Sequence, residues 1–171
     1  MRAIGSTPDD PHSLIYLTLL SAISKAQTSV WLTNAYFVPD RQLLEALTGA
    51  AARGVDVRLI LPGGSDSSVA FHAGRSHYSA LLRAGVKIHE RRGAMLHAKT
   101  ATIDGVWSCV GSTNLDWRSF VHNYEADVIV RDAQFARRME ARYREDVAAG
   151  VEIDAKQWRR RGLAQRVREW V

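Results

Sequence analysis

The sequence predicts an α/β domain, a mixed central β-sheet with helices on both faces, and three observations carry that reading. Runs rich in β-branched residues, such as TSVWLTN and VDVRLIL, alternate with stretches whose apolar residues recur at helical spacing. A hairpin signal, Asp104-Gly105 between AKTATI and VWSCVG, interrupts that alternation and makes the sheet mixed. The length of 171 residues, 46% of them hydrophobic, suffices for one sizeable core.

Each element follows from local pattern. Pro11 and Ser13 open a helix running to about Gln27, with Leu14, Leu17, Leu20 and Ile23 near helical spacing. Thr28 to Asn34 is a strand. Pro39 starts a second helix reaching Arg53, in which Leu43, Leu44 and Leu47 face inward and after which Gly54 stops the turn. Val55 to Leu61 is a buried strand halted by Pro-Gly-Gly. A third helix covers Ser67 to Arg83 and a short strand Val86 to Glu90. After the hairpin come a strand from Tyr124 to Val130 and a helix from Asp132 to Ala148. Residues 1–150 thus form one domain, and residues 151–171 a basic amphipathic tail. On a helix, Leu163, Val167, Trp170 and Val171 fall on one side, with Arg159, Arg160, Arg166 and Arg168 largely elsewhere. That pattern suits an interfacial helix on anionic lipid and, equally, a solvated helix packed on the domain.

Charge narrows the partners without choosing one. The 23 Lys and Arg against 18 Asp and Glu leave a net charge of +5, a modest basic bias that fits anionic partners, lipid or nucleic acid. One cysteine permits no intramolecular disulfide, so no oxidising compartment is needed, and Cys109 reads as a small buried strand residue. The N-terminus lacks the apolar core of a signal peptide, and no apolar stretch is long enough to span a bilayer.

Chemistry concentrates between Leu96 and Arg118. Side chains two apart on a strand share a face, so His97 and Lys99 project together, an imidazole that can attack or protonate beside a fixed charge for a phosphoryl oxygen. Burying Lys99 in a strand-lined cleft is costly without an anion to meet it. Gly111-Ser112-Thr113-Asn114 follows with a hydroxyl, an amide and backbone N–H groups that close the other side of a phosphate pocket. Asp104 reads with nearly even weight as a plain turn residue. His12, His72, His77, His89 and His122 lack such neighbours and read as ordinary surface or core histidines.

His97-Ala98-Lys99 with Asp104 resembles the HxKxxxxD signature of the phospholipase D superfamily, and Gly111 to Asn114 resembles the GSxN element that follows it. The runs YFVPD, LLRAGVKIHE, GSTNLDWRSF and HNYEADV are similar to bacterial cardiolipin synthases, closest to the second half of enzymes that carry the motif twice. The resemblance implies a phospholipase D-like α/β/α sandwich, with catalytic candidates His97, Lys99, Asp104 and Glu125. In that family a histidine attacks phosphorus and a second, from the other motif copy, protonates the leaving alcohol. His97 would take one of these roles and Glu125 would orient it. Lys99, Ser112 and Asn114 would bind phosphate, while Asp104 corresponds to a structural acid of the motif. No metal and no cofactor is implied. Two loops gain lesser candidacies: Asn34 to Asp40, where Phe37 is equally a packing residue, and the Ser-rich loop from Gly63, where Ser65 or Ser67 more simply caps a helix.

A single motif copy cannot supply nucleophile and acid at once, so the expected arrangement is a homodimer or a partner chain that brings the second copy. The expected reaction is phosphatidyl transfer or phospholipase D-type hydrolysis on an anionic phospholipid, phosphatidylglycerol. It would be carried out by a cytoplasmic chain peripheral at the inner membrane and held there by its C-terminal tail. The alternatives are a single-copy phosphodiesterase acting on nucleic acid as a homodimer, and an inactive half-enzyme.

Overall fold

The structure, a computed structural model, describes residues 1–8, 13–93 and 95–162. Its strands are β1 (Arg2–Ser6), β2 (Ser29–Thr33), β3 (Asp56–Pro62), β4 (Lys87–Arg91), β5 (Thr100–Ile103), β6 (Trp107–Gly111), β7 (Glu125–Arg131) and β8 (Gly150–Glu152). Its helices are α1 (Leu14–Lys25), α2 (Arg41–Ala52), α3 (Ser68–Ser76), α4 (Tyr78–Ala84), α5 (Trp117–Val121), α6 (Ala133–Ala148) and α7 (Ala155–Arg159). The strands form one sheet in the order β1-β7-β6-β5-β2-β3-β4-β8. Pairing is parallel between β2, β3 and β4 and antiparallel elsewhere, as expected for crossovers through α2 and α3–α4 beside a run of hairpins. The mixed α/β sheet predicted from the sequence is therefore the observed fold.

Alternation along the central strands sorts the core into two layers. Val30 and Leu32 of β2, with Val57, Leu59 and Leu61 of β3, pack against Ile23, Leu43, Leu47 and Leu81 of α1, α2 and α4. Trp31 and Ile60 point the other way, onto Tyr143 of α6. Both faces of β2 and β3 are covered, which is why these strands read as nearly continuous apolar runs. Helix starts are fixed by side-chain caps: Ser13 accepts from Tyr16 N, Asp40 from Leu43 N at 2.8 Å and Asp132 from Phe135 N at 2.7 Å. Each cap contributes about 1 kcal/mol. The Tyr16 hydroxyl donates to Asp40 at 2.6 Å and so ties α1 to α2.

Several elements differ from the sequence reading. The helix predicted over Ser67 to Arg83 divides at His77 into α3 and α4. A Cβ at Gly74 would lie 2.3 Å from the Phe37 carbonyl oxygen, so α3 presses on the loop after β2 and α4 starts afresh along the sheet. Short α5 and edge strand β1 carry no periodic signal. The largest difference lies at the boundary set at residue 150. β8 pairs with β4, and Trp158 of α7, only 5% exposed, stacks 5.1 Å from Tyr78 and donates to Ser79 Oγ at 3.1 Å. The buried Arg75–Glu90 ion pair places the guanidinium 4.9 Å from the Trp158 ring. Residues 150–159 belong to the domain, because a three-residue strand and one buried indole are too short for a sequence period to reveal. The remainder of the predicted tail, Leu163 to Val171, lies outside the described residues.

Candidate active site

Strand directions bring the predicted residues to one end of the sheet. Thr33 at the end of β2 pairs with Thr100 at the start of β5, Gly111 at the end of β6 pairs with Asp127 near the start of β7, and Glu125 pairs with Ser6. Lys99, Ser112, Thr113, Asn114 and Glu125 therefore sit together at the rim, with Asn34 beside them.

His97 and Lys99 do not share the environment that a continuous strand implies. β5 begins only at Thr100, and residues 95–99 are irregular. His97 is exposed and its imidazole hydrogen bonds to no described residue, whereas Lys99 is 8% exposed and its Nζ turns back to donate to the His97 carbonyl at 2.7 Å. Lys99 forms no ion pair with any described residue. Burial lowers its pKa, and the nearby charges of Glu125 and Asp116 oppose that shift without reversing it. An ammonium held this way favours an arriving anion.

Asn34, named from the sequence only as the start of a candidate loop, is the brace of this end of the sheet. It is 3% exposed; its Oδ1 accepts from Tyr36 N and Leu115 N, both at 3.1 Å, and its Nδ2 donates to the Thr113 carbonyl at 3.3 Å. One amide thus fastens the loop after β2 to the GSTN loop, and Phe37, 5% exposed, is core packing. In the Ser-rich loop, Ser67 caps α3 by accepting from Ala70 N at 3.3 Å.

In the GSTN loop, Gly111 admits no side chain: a Cβ there would lie 1.5 Å from Asp127 Oδ1 and 2.5 Å from the Ala126 carbonyl oxygen. Asp127, 4% exposed, accepts from Thr113 N at 3.3 Å, and burial raises its pKa against those bonds. This buried acid was not singled out from the sequence, though it stands two residues from Glu125 on one strand face. Burial beside it pushes the Cys109 thiol up to about 12. Asn114 Oδ1 is buried and hydrogen bonds to no described residue.

Two predicted roles change, and Asp104 takes the structural one of its two expected parts. Glu125 does not reach His97: one oxygen accepts from Ser112 Oγ and the other from Asn123 Nδ2 at 3.1 Å. Ser112 Oγ has given its only proton to Glu125 and accepts from Ala126 N at 3.0 Å, so it fixes the loop and has no proton left to offer a phosphate oxygen. Asp104 lies at the opposite end of β5, where its carboxylate accepts from the backbone N–H groups of Gln27, Thr28 and Ser29. It is a structural residue, separated from His97 by the length of the strand. Among the described residues no three His, Cys, Asp or Glu side chains gather as a metal site would need, and no helix is long and apolar enough to cross a membrane.

The uncompensated ammonium makes a prediction. Lys99→Met should stabilise the ligand-free chain by about 1 kcal/mol at pH 7, because a buried charge is replaced by packed carbon. Unfolded Lys99 keeps its proton to about pH 10.4 while the folded group releases it earlier. The penalty is therefore complete at neutral pH and fades as pH rises through the folded pKa. Urea melts at pH 7 and pH 10 check this: the advantage of Met should shrink at the higher pH, and a Met variant less stable at both would contradict it.

Residues 19–147 match the family described as cardiolipin synthase, PLD-like domain. Cardiolipin synthase A of Klebsiella pneumoniae and that of Citrobacter koseri are each 40% identical over 169 residues, which is 99% of this chain and 35% of the relative. The chain thus spans about a third of the length of the curated relatives it matches. Among solved structures, the phospholipase D family member Nuc from Salmonella typhimurium superposes with a TM-score of 0.75 at 20% identity, covering 89% of this chain and 99% of that one. Phosphatidylserine synthase from Haemophilus influenzae superposes with a TM-score of 0.75 at 11% identity, covering 88% and 39%. With the family match over most of the chain and the shared fold both agreeing with the motif seen at the sheet rim, the chain belongs to the cardiolipin synthase, phospholipase D-like family.

Proposed function

We propose that this chain provides one half of a phosphatidyltransferase site that works on anionic phospholipid at a membrane surface, with phosphatidylglycerol as substrate. The observation that carries the reading is the pairing of an exposed, unengaged His97 imidazole with the buried, unpaired Lys99 ammonium two residues on. Lys99 and the Asn114 amide take the phosphate oxygens and offset the charge that develops on them. An imidazole nitrogen of His97 attacks phosphorus, the bond from phosphorus to the leaving alkoxide breaks, and a second histidine donates the proton that alkoxide needs. An acceptor hydroxyl then attacks phosphorus, the P–N bond breaks, its electron pair returns to His97, and the acceptor's proton passes to the second histidine. With water as acceptor the same step is hydrolysis.

The second histidine comes from another motif copy, either a twofold-related chain or a separate partner. The single motif copy among these residues supports the need for another, since one histidine cannot be nucleophile and acid at once. Sedimentation and phosphatidylglycerol turnover, measured on one sample at micromolar concentration, test the arrangement. Turnover is expected from a dimer, or after addition of a chain carrying the other motif. Turnover by a strict monomer would overturn it, and steeply salt-dependent cleavage of DNA without lipid turnover would favour the nucleic-acid reading instead.

A further inference from the structure

On the α6 face of the sheet, behind the segment that carries His97, lies a cavity of about 300 Å3. His97 and Ala98 are among its lining residues. The sheet contributes Thr33, Thr100 and Thr102, and Thr33 faces Thr100 across the ladder between β2 and β5. None of these three hydroxyls hydrogen bonds to a described residue. α6 contributes Arg142, Asp146 and Tyr143, whose buried hydroxyl hydrogen bonds to no described residue. Arg91, the last residue of β4, joins Met95, Leu96 and Met139 in the lining, and its Nη1 is buried and hydrogen bonds to no described residue.

These groups suit a particular chemistry. The fork of a guanidinium matches two oxygens of a phosphate better than any neutral group, and the buried, unbonded Nη1 gains from an acceptor oxygen. The hydroxyls offer both donors and acceptors, and Asp146 accepts only. A bare anion would be repelled by Asp146, whereas a phosphoester that also carries hydroxyls meets both signs. The size falls at the lower end of the range for small-molecule sites.

We propose that this cavity is a subsite for a hydroxyl-bearing phosphoester, in which Arg91 holds the phosphate of the acceptor alcohol while its hydroxyl is presented toward His97. The role as acceptor site rests on the phosphatidyl-transfer reading; the binding chemistry does not. Two sources share that chemistry, a lipid headgroup and a free glycerol phosphate.

Titration of the full chain with glycerol 1-phosphate, and separately with dihexanoylphosphatidylglycerol below its micellar concentration, followed by amide NMR shifts, distinguishes them. The amides of Thr33, Thr100 and Thr102 report this cavity, and those of Ser112 to Asn114 the Lys99 site. Saturation at the threonines by the lipid at lower concentration assigns the headgroup; saturation at lower concentration by glycerol phosphate assigns the free ester. Arg91→Gln should weaken binding at the threonines by more than about tenfold and leave the Ser112 to Asn114 titration in place. Arg91→Lys keeps the charge without the fork and guards against a folding artefact, with a smaller loss expected. Threonine amides that do not move in the native chain, or that titrate identically in Arg91→Gln, overturn the subsite. If phosphatidylglycerol is turned over while those amides stay silent, the subsite fails and the transfer reading stands. If they saturate in an Arg91-dependent way while no completed site transfers a phosphatidyl group, the subsite stands and the transfer reading fails.

Discussion

His97→Ala, assayed in a sample whose site is completed by a second motif, should lose roughly four orders of magnitude or more in turnover, with no phosphoenzyme trapped on this chain. Its stability should change by no more than ~0.5 kcal/mol, because an exposed side chain bonded to no described residue supports nothing else. The combination is diagnostic. A residue that both folds and reacts would lose the two together, whereas His97 projects from an irregular segment whose position is held by others: Leu96 packs against the cluster of Trp31, Ile60 and Tyr143, and the His97 carbonyl is held by Lys99. Covalent radiolabel retained on the variant after alkaline quench, or native turnover by it, would remove His97 from the mechanism. Thermal melts of both chains, run beside the assay, keep a folding defect from imitating a chemical one.

How far the sequence revealed this site depends on the range of each interaction. Position along the chain was enough to single out His97, Lys99 and Asn114 as parts of one linear motif, and the fold brings Lys99 and Asn114 to the same end of the sheet. It was enough to place Asp104-Gly105 in a turn, where both residues take positive φ, 52° and 64°. It was not enough to assign partners. Glu125 was given to His97, yet its oxygens go to Ser112 and Asn123, a choice made by the register between β6 and β7 that no local pattern encodes. Asp127 escaped notice, and Asn34 was named only as a loop's first residue, for the same reason: each acts across a long gap in the chain or within a buried cluster. The core strands were legible because burial on both faces writes itself into composition. The short edge elements β1, β8 and α7 were not, since each is held by a few long-range contacts, Trp158 against Tyr78 among them.

Asp104→Ala should produce the opposite phenotype from His97→Ala, a loss of about 3–5 kcal/mol in stability with chemistry intact in the molecules that remain folded. The native carboxylate gathers Gln27 N, Thr28 N and Ser29 N at 3.0, 2.8 and 3.0 Å and the Thr28 hydroxyl at 2.9 Å, so it fastens the entry of β2 to the turn after β5. Alanine removes all of these acceptors and leaves a Cβ in the left-handed region without a compensating bond. Asp104→Gly relieves the backbone alone and should recover about 1 kcal/mol. Asp104→Asn keeps one acceptor oxygen and should be the mildest of the three. Burial raises the Asp104 pKa, but the three backbone N–H bonds outweigh it and hold the carboxyl below the ordinary range. Its contribution is accordingly present above an unfolded pKa near ~3.9 and is lost as pH falls through the folded value. The gap between native protein and Asp104→Asn should therefore narrow in acid below about pH 4 and stay constant above it, which denaturant melts across that window would measure. Turnover per folded molecule is the deciding quantity. The strand between Asp104 and Lys99 is about 13 Å long at ~3.3 Å per residue, too far for the carboxylate to touch a phosphate held there. If Asp104→Asn loses turnover on the scale of His97→Ala while folded, the acid belongs to the chemistry after all and its placement as the pin between β2 and β5 is not the whole of its role.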